Sequence, residues 1–182
     1  MMQYIICTVE ERKEYVDEVK KVIPNLIEVK DECRSHMDTY RRAMMRSQNK
    51  ATVFLEDDII LTSNFIEKIE SAINERPTDV IQFFSMRKAD IEVGSRYDNN
   101  FIANLCFYVP KNFTYKYLKF FDEWIPKNPQ DPTASDLAFR AYLKKIKKRY
   151  WIHVPSLVEH REVKSVINPR RSTKRQSKTF RR

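Results

Sequence analysis

Acidic chemistry is concentrated at one point in this chain, where Glu56-Asp57-Asp58 directly follow the apolar run Val53-Phe54-Leu55. Neighbouring carboxylates repel one another, so clustering them costs free energy unless a cation neutralises them. Hard divalent ions such as Mg²⁺ and Mn²⁺ take carboxylate oxygens, usually one or two from the protein, with the phosphates of a ligand completing the shell. An acidic triplet closing a strand is therefore a means of binding a diphosphate. The alternative is that the acids cap the next segment and solvate a turn. The chain holds a single glycine, Gly94. That excludes the glycine-rich phosphate cradles of the Walker and Rossmann types, and leaves metal and side chains to hold a nucleotide's phosphates.

Further groups belong on the same side of the argument. Arg41 and Arg42 lie on a helix ahead of the acidic strand; a guanidinium fork suits phosphate oxygens, and a solvated helix face is the other reading. His36 and His153 show no partner spacing and are read as structural. Trp124, Phe120 and Phe121 are read as core aromatics.

The elements that must position these groups follow from periodicity. Strands are expected at 3–9, 26–29, 52–56, 80–84, 105–109 and 150–154. Helices are expected at 10–23, 35–48, 63–74, 113–124 and 135–147, with Asn64 and Glu67 as a capping box. The stretch 85–100 reads as a loop, 125–132 as a connection with three prolines, and everything beyond Asn168 as a disordered tail. Thr52 to Glu56 is apolar on both faces, as in a central parallel strand. Strands alternating with helices imply an α/β fold, a mostly parallel mixed sheet flanked by helices. One domain over 1–167 and a basic tail over 168–182 is the expected organisation.

At 182 residues the chain is long enough to bury a substantial core. No apolar run is long enough for a membrane span, and Met1 to Cys7 lacks the form of a signal peptide. Cys7, Cys33 and Cys106 are odd in number and far apart, which favours a reducing, cytoplasmic setting over disulfides or zinc. The net charge is +9, and 168–182 carries seven Lys or Arg and no acid. A second basic patch spans 144–149. Two such patches on a nearly neutral body suit a polyanionic partner.

Val53-Phe54-Leu55-Glu56-Asp57-Asp58, continued by Ile59-Ile60-Leu61 and Phe65, resembles the metal-binding signature of GT-A-fold glycosyltransferases. It is especially similar to the lipooligosaccharide glycosyltransferase group. The resemblance implies a GT-A-like (Rossmann-like) domain and a nucleotide-sugar donor. In that fold the acidic motif holds Mn²⁺ or Mg²⁺ on the donor diphosphate, here through Glu56, Asp57 and Asp58, without deciding which of them touches metal. Ile5-Ile6-Cys7-Thr8 with Glu11-Arg12 resembles the first strand and turn that hold the nucleoside. Leu26-Ile27-Glu28-Val29 with Asp31 resembles the second, where an acid meets base or ribose. Arg41 and Arg42 fall where related folds place a cation near the diphosphate. Phe107-Tyr108-Val109-Pro110 resembles the family's aromatic strand. Val154-Pro155-Ser156-Leu157-Val158-Glu159-His160 resembles its C-terminal segment, whose histidine is a further metal ligand. Asp136 resembles the acid that inverting members use to take the acceptor's proton; Thr133 and Asp136 also fit a capping box. The chain departs from the family in its shortness and in lacking glycines around the acceptor loop.

The function implied is transfer of a sugar from a nucleotide-diphosphate donor, a UDP-sugar, to an acceptor hydroxyl. The basic patches point to a polyanionic acceptor, DNA carrying hydroxymethylated bases, as in small viral DNA-modifying glycosyltransferases; a surface glycan is the alternative acceptor. Two other classes share ingredients with this reading, a metal-dependent nuclease and a non-enzymatic nucleic-acid-binding module.

Overall fold

A computed structural model describes residues 2–128, 135–168 and 173–182. The chain opens with β1 (Gln3–Thr8), a 3-10 turn over Glu10–Arg12, α1 (Lys13–Val22), β2 (Leu26–Lys30), α2 (His36–Arg46), β3 (Thr52–Glu56) and β4 (Ile59–Leu61). It continues through α3 (Phe65–Glu75), β5 (Ile81–Gln82), α4 (Asp90–Val93), β6 (Arg96–Asp98) and β7 (Cys106–Val109). The last elements are α5 (Phe113–Trp124), a 3-10 turn over Ile125–Lys127, α6 (Ser135–Lys145), β8 (Tyr150–Ile152) and β9 (Val158–His160).

Seven strands form one mixed sheet in the order β2-β1-β3-β7-β5-β8-β6, and β4 pairs with β9 in a separate two-stranded ribbon. β1 runs parallel to both β2 and β3, β5 runs parallel to β8, and β7 and β6 run against their neighbours. The architecture is α/β, as the alternation of elements implied.

Alternation within the central strands explains the layers. Side chains on a strand point to opposite faces in turn. Tyr4 and Ile6 of β1 and Val53 and Leu55 of β3 enter a core closed by Val16 and Val19 of α1 and Phe65 and Ile69 of α3. Ile5, Cys7 and Phe54 point the other way, against Tyr40 and Met44 of α2, Tyr117 of α5 and Phe139 of α6. Burial on both faces is why these strands read as continuous apolar runs.

Several local expectations are revised. The stretch 85–100 contains α4 and β6, and β6 is held as an edge strand by antiparallel pairing with β8. Gly94 ends α4 with a φ of 69°, the left-handed region that glycine enters without a steric penalty. Asn64 is itself left-handed and makes no side-chain cap bond, so no capping box opens α3. Residues 173–182, expected as a disordered tail, lie against the body. The Ser156 amide donates to Thr179 Oγ1 at 3.1 Å, the Ser177 amide donates to Glu159 Oε1 at 3.0 Å, and Thr62 Oγ1 donates to the Arg181 carbonyl at 2.7 Å. Polar side chains of the β4–β9 region thus organise a segment that has little apolar surface of its own. Among the described residues no helix is long and apolar enough to cross a membrane, and the three cysteines are unpaired.

Candidate functional site

Because β1, β2 and β3 are parallel and in register, their carboxyl ends come together: Thr8 sits opposite Lys30, and Cys7 opposite Glu56. Open α/β sheets bind ligands at this edge. The N-terminus of α2 arrives at the same place, where the Ser35 side chain accepts from the Asp38 amide at 3.3 Å and fixes the first turn. The result is a pocket whose walls include Thr8, Arg12, Asp31, His36, Asp57 and Asp58. Ser165, Val166, Ile167 and Arg175 cover it from the C-terminal part of the chain.

The three consecutive acids do not act as a group. Glu56 is the last residue of β3 and faces His36, with Oε1 3.3 Å from the imidazole Nε2. Asp57 is claimed from two sides, by the Val9 amide at 2.9 Å and by Arg12 Nη1 at 2.7 Å. Asp58 also receives Arg12 Nη1, at 2.9 Å, and its Oδ2 lies 3.3 Å from His160 Nε2. Arg12 is locked by a third bond, from Nη2 to the Lys164 carbonyl at 2.9 Å. Burial lifts the pKa of Asp57 to about 6, and Asp58 adds to the rise, against the opposing pull of Arg12. The pKa of Arg12 is raised: burial opposes this, but Asp58 and Asp57 together outweigh it. Arg12 thus supplies the neutralising charge that the sequence assigned to a metal alone.

Among the described residues no three His, Cys, Asp or Glu side chains converge as a metal group. The expected set of Glu56, Asp57, Asp58 and His160 is therefore reduced, because Arg12 and the Val9 amide occupy Asp57 and Glu56 turns to His36. What remains is the pair Asp58 and His160. Adjacent corners of an octahedron with bonds near 2.1 Å are about 3 Å apart, close to the 3.3 Å between Asp58 Oδ2 and His160 Nε2. Asp58 Oδ1 is buried without a hydrogen-bond partner, a free lone pair that an ion would satisfy. A carboxylate, an imidazole and the oxygens of a bound diphosphate are a suitable donor set for Mn²⁺ or Mg²⁺.

The remaining expected residues divide. Thr8 and Asp31 line the pocket; Asp31 Oδ1 accepts from the amides of Cys33 and Ser35 at 3.0 and 3.3 Å, and its Oδ2 is buried without a partner. Glu11 lies outside the pocket, paired with Arg34, whose hydrogen bond lowers its pKa. Arg41 is turned to Asp122 on α5 at 2.7 and 2.9 Å. Arg42 is turned to Asp38, Glu32 and the Lys30 carbonyl. Neither guanidinium lines the pocket. Asp136, on the first turn of α6, accepts from the Ala103 amide through Oδ2 at 3.3 Å. Thr133, its capping-box partner, lies outside the described residues. Burial pushes the Cys7 thiol well up, with Glu56 and Asp57 adding to the effect, so it stays neutral in the pocket wall.

His36, read as structural in the sequence, is a wall of the pocket and reaches Ser135 Oγ through Nδ1 at 2.8 Å. That contact ties the pocket to the start of α6. The available signal was topological, since a residue at the start of α2 lies at the same sheet edge as Glu56. Arg175 was assigned to a free tail and lies 2.6 Å from His160 Nε2; no local pattern marks it. His153 remains structural, beside Phe83.

No family model and no curated protein matches the sequence. The fold has solved counterparts. A197 from STIV superposes with a TM-score of 0.51 at 14% identity, covering 87% of this chain and 83% of that one. A UDP-glucose pyrophosphorylase complexed with UDP-glucose gives a TM-score of 0.51 at 8% identity, over 83% and 72% of the two chains. The shared architecture is a GT-A-like, Rossmann-like domain.

Proposed function

We propose that this chain is a nucleotide-sugar glycosyltransferase that binds its donor's diphosphate at the carboxyl ends of β1 and β3, with Mn²⁺ or Mg²⁺ held by Asp58 and His160. The observation that carries the reading is the meeting of Asp58 and Arg12 in one pocket at the ligand-binding edge of a GT-A-like sheet, with the buried His160 Nε2 3.3 Å from Asp58 Oδ2. An ion bound there would supply positive charge against the leaving diphosphate. Arg12 holds both aspartates in place and cancels the repulsion between them. Thr8 and Asp31 form the wall at the ends of β1 and β2, and the free oxygen of Asp31 suits a ribose hydroxyl. A UDP-sugar is the donor favoured by the likeness to a protein complexed with UDP-glucose.

Asp136 is the base for the acceptor hydroxyl, and its reaction would invert the anomeric centre. It begins a stripe along α6 that continues with Arg140 and Lys144; Arg140 and Lys144 line a groove with Lys147, Lys148 and Trp124. This basic track supports a polyanionic acceptor, with hydroxymethylated DNA as its specific form, because phosphates are neutralised by such residues. The test is release of UDP from UDP-sugars with Mn²⁺, with and without modified DNA. Acceptor-stimulated UDP release is expected. Its absence with every donor, together with no stabilisation by UDP and Mn²⁺, would remove the proposal.

The likeness to a pyrophosphorylase favours a second reading, nucleotidyl transfer to a sugar phosphate. The turn after β1, Val9-Glu10-Glu11-Arg12, has no glycine and cannot wrap a triphosphate with backbone amides in the usual manner of glycine-rich loops. Production of pyrophosphate from UTP and a sugar phosphate would favour this second reading.

A further inference from the structure

The C-terminal segment carries a cation of its own into the proposed ion site. Ser177 and Thr179 are fixed to the body by their bonds to Glu159 and Ser156. Two residues before Ser177, Arg175 turns inward: its Nη2 lies 2.6 Å from His160 Nε2 and 3.8 Å from Asp58 Oδ2. The guanidinium therefore approaches both members of the pair that is spaced to chelate an ion.

Arg175 and an ion cannot both use the imidazole nitrogen. A neutral imidazole nitrogen has one lone pair, and it is directed either to a donor N–H or to a metal. When His160 Nε2 accepts from Arg175 it has nothing left for an ion. The His160 side chain is fully buried, at 0% exposure, and is packed too closely to swing to a second position. Arg175 is the more exposed partner, at 16% for its side chain, on a segment held by polar contacts. Arg12 is not an alternative occupant to be displaced, because three hydrogen bonds commit it to Asp57, Asp58 and Lys164.

We infer that Arg175 and the divalent ion are mutually exclusive at Asp58 and His160: the C-terminal segment plugs the ion site of the empty protein, and metal evicts Arg175. The inference rests on the reading of Asp58 and His160 as the ion-binding pair. It gives the C-terminal segment a gating role at the donor site that is separate from any contact with acceptor.

The experiment is a Mn²⁺ titration of the full chain, reading free Mn²⁺ by electron paramagnetic resonance. Wild type, Arg175→Gln, Arg175→Lys, a chain lacking 173–182, and Asp58→Asn are compared, each checked for folding by circular dichroism. Arg175→Gln and the truncation should both bind Mn²⁺ at least about tenfold more tightly, the loss of one charge-assisted competitor. Arg175→Lys should stay closer to wild type. In wild type, Mn²⁺ should also speed tryptic cleavage after Arg175. If Asp58→Asn leaves Mn²⁺ affinity unchanged, the ion-site reading itself falls. If binding depends on Asp58 but is unchanged or weakened in Arg175→Gln and in the truncation, the ion site stands and the exclusion is overturned. Tail cleavage indifferent to bound Mn²⁺ overturns it equally.

Discussion

Replacing Arg12 by Met tests the electrostatic account most directly. The Arg12 side chain is 11% exposed and those of Asp57 and Asp58 are 6% and 4% exposed, so solvent does little to screen the pairs. Met keeps much of the apolar volume and removes the charge, leaving two adjacent buried carboxylates with no cation. Breaking a buried pair by deleting one partner costs about 3–5 kcal/mol. With a urea slope of about 2 kcal/mol/M, the midpoint should fall by about 2 M at pH 7. The pH dependence has a definite sign. The folded-state pKa of Asp57 is already raised to about 6 from 3.8, so this group's stability contribution is complete below about pH 4 and is lost as pH rises through 6. Loss of Arg12 raises the folded pKa further and extends that loss above pH 6. The difference between mutant and wild type should therefore shrink when unfolding is measured at pH 5. Mn²⁺ should also restore part of the mutant's stability, since ligands that bind only the folded state raise it. A cost under about 1 kcal/mol, or an equal cost at pH 5 and pH 7, would refute the claim that Arg12 neutralises the acidic strand end.

Other expectations follow from single contacts. Asp58→Asn should retain the fold while losing Mn²⁺-dependent stabilisation by UDP, read by thermal shift. Arg41→Ala should leave donor KM unchanged and cost under about 1 kcal/mol in urea unfolding, because the Arg41–Asp122 pair is 38% and 49% exposed. Phe139→Ala should cost about 3–5 kcal/mol in the same assay, since its ring lies 4.7 to 5.6 Å from those of Phe101, Phe107, Phe113 and Tyr117. Burial lowers the pKa of His153, so stability should rise with pH up to about 6.5; His153→Gln should flatten that rise.

The sequence by itself determined the sheet's centre. Apolar runs such as Val53-Phe54-Leu55 are long enough and hydrophobic on both sides, so period and burial agree without knowledge of neighbours. The acidic triplet was legible for the same reason, because its residues are adjacent in the chain and its strand fixes where they emerge. Short pairings were not legible. β4 with β9, and β6 with β8, hold three residues a side, and each is stabilised by a distant partner rather than by its own pattern. The division of labour among the acids was also hidden. Arg12 lies 45 residues before Asp57 and 46 before Asp58, and its capture of both is decided by how the 3-10 turn after β1 meets the end of β3. The same holds for Arg175: by composition it belongs to a solvated basic tail, and only the bonds from Glu159, Ser156 and Thr62 bring it to His160. Sequence pattern reports which residues must be buried and which charges lie together along the chain. Tertiary packing decides which opposite charge reaches them, because burial makes a charge costly and the fold alone chooses its partner.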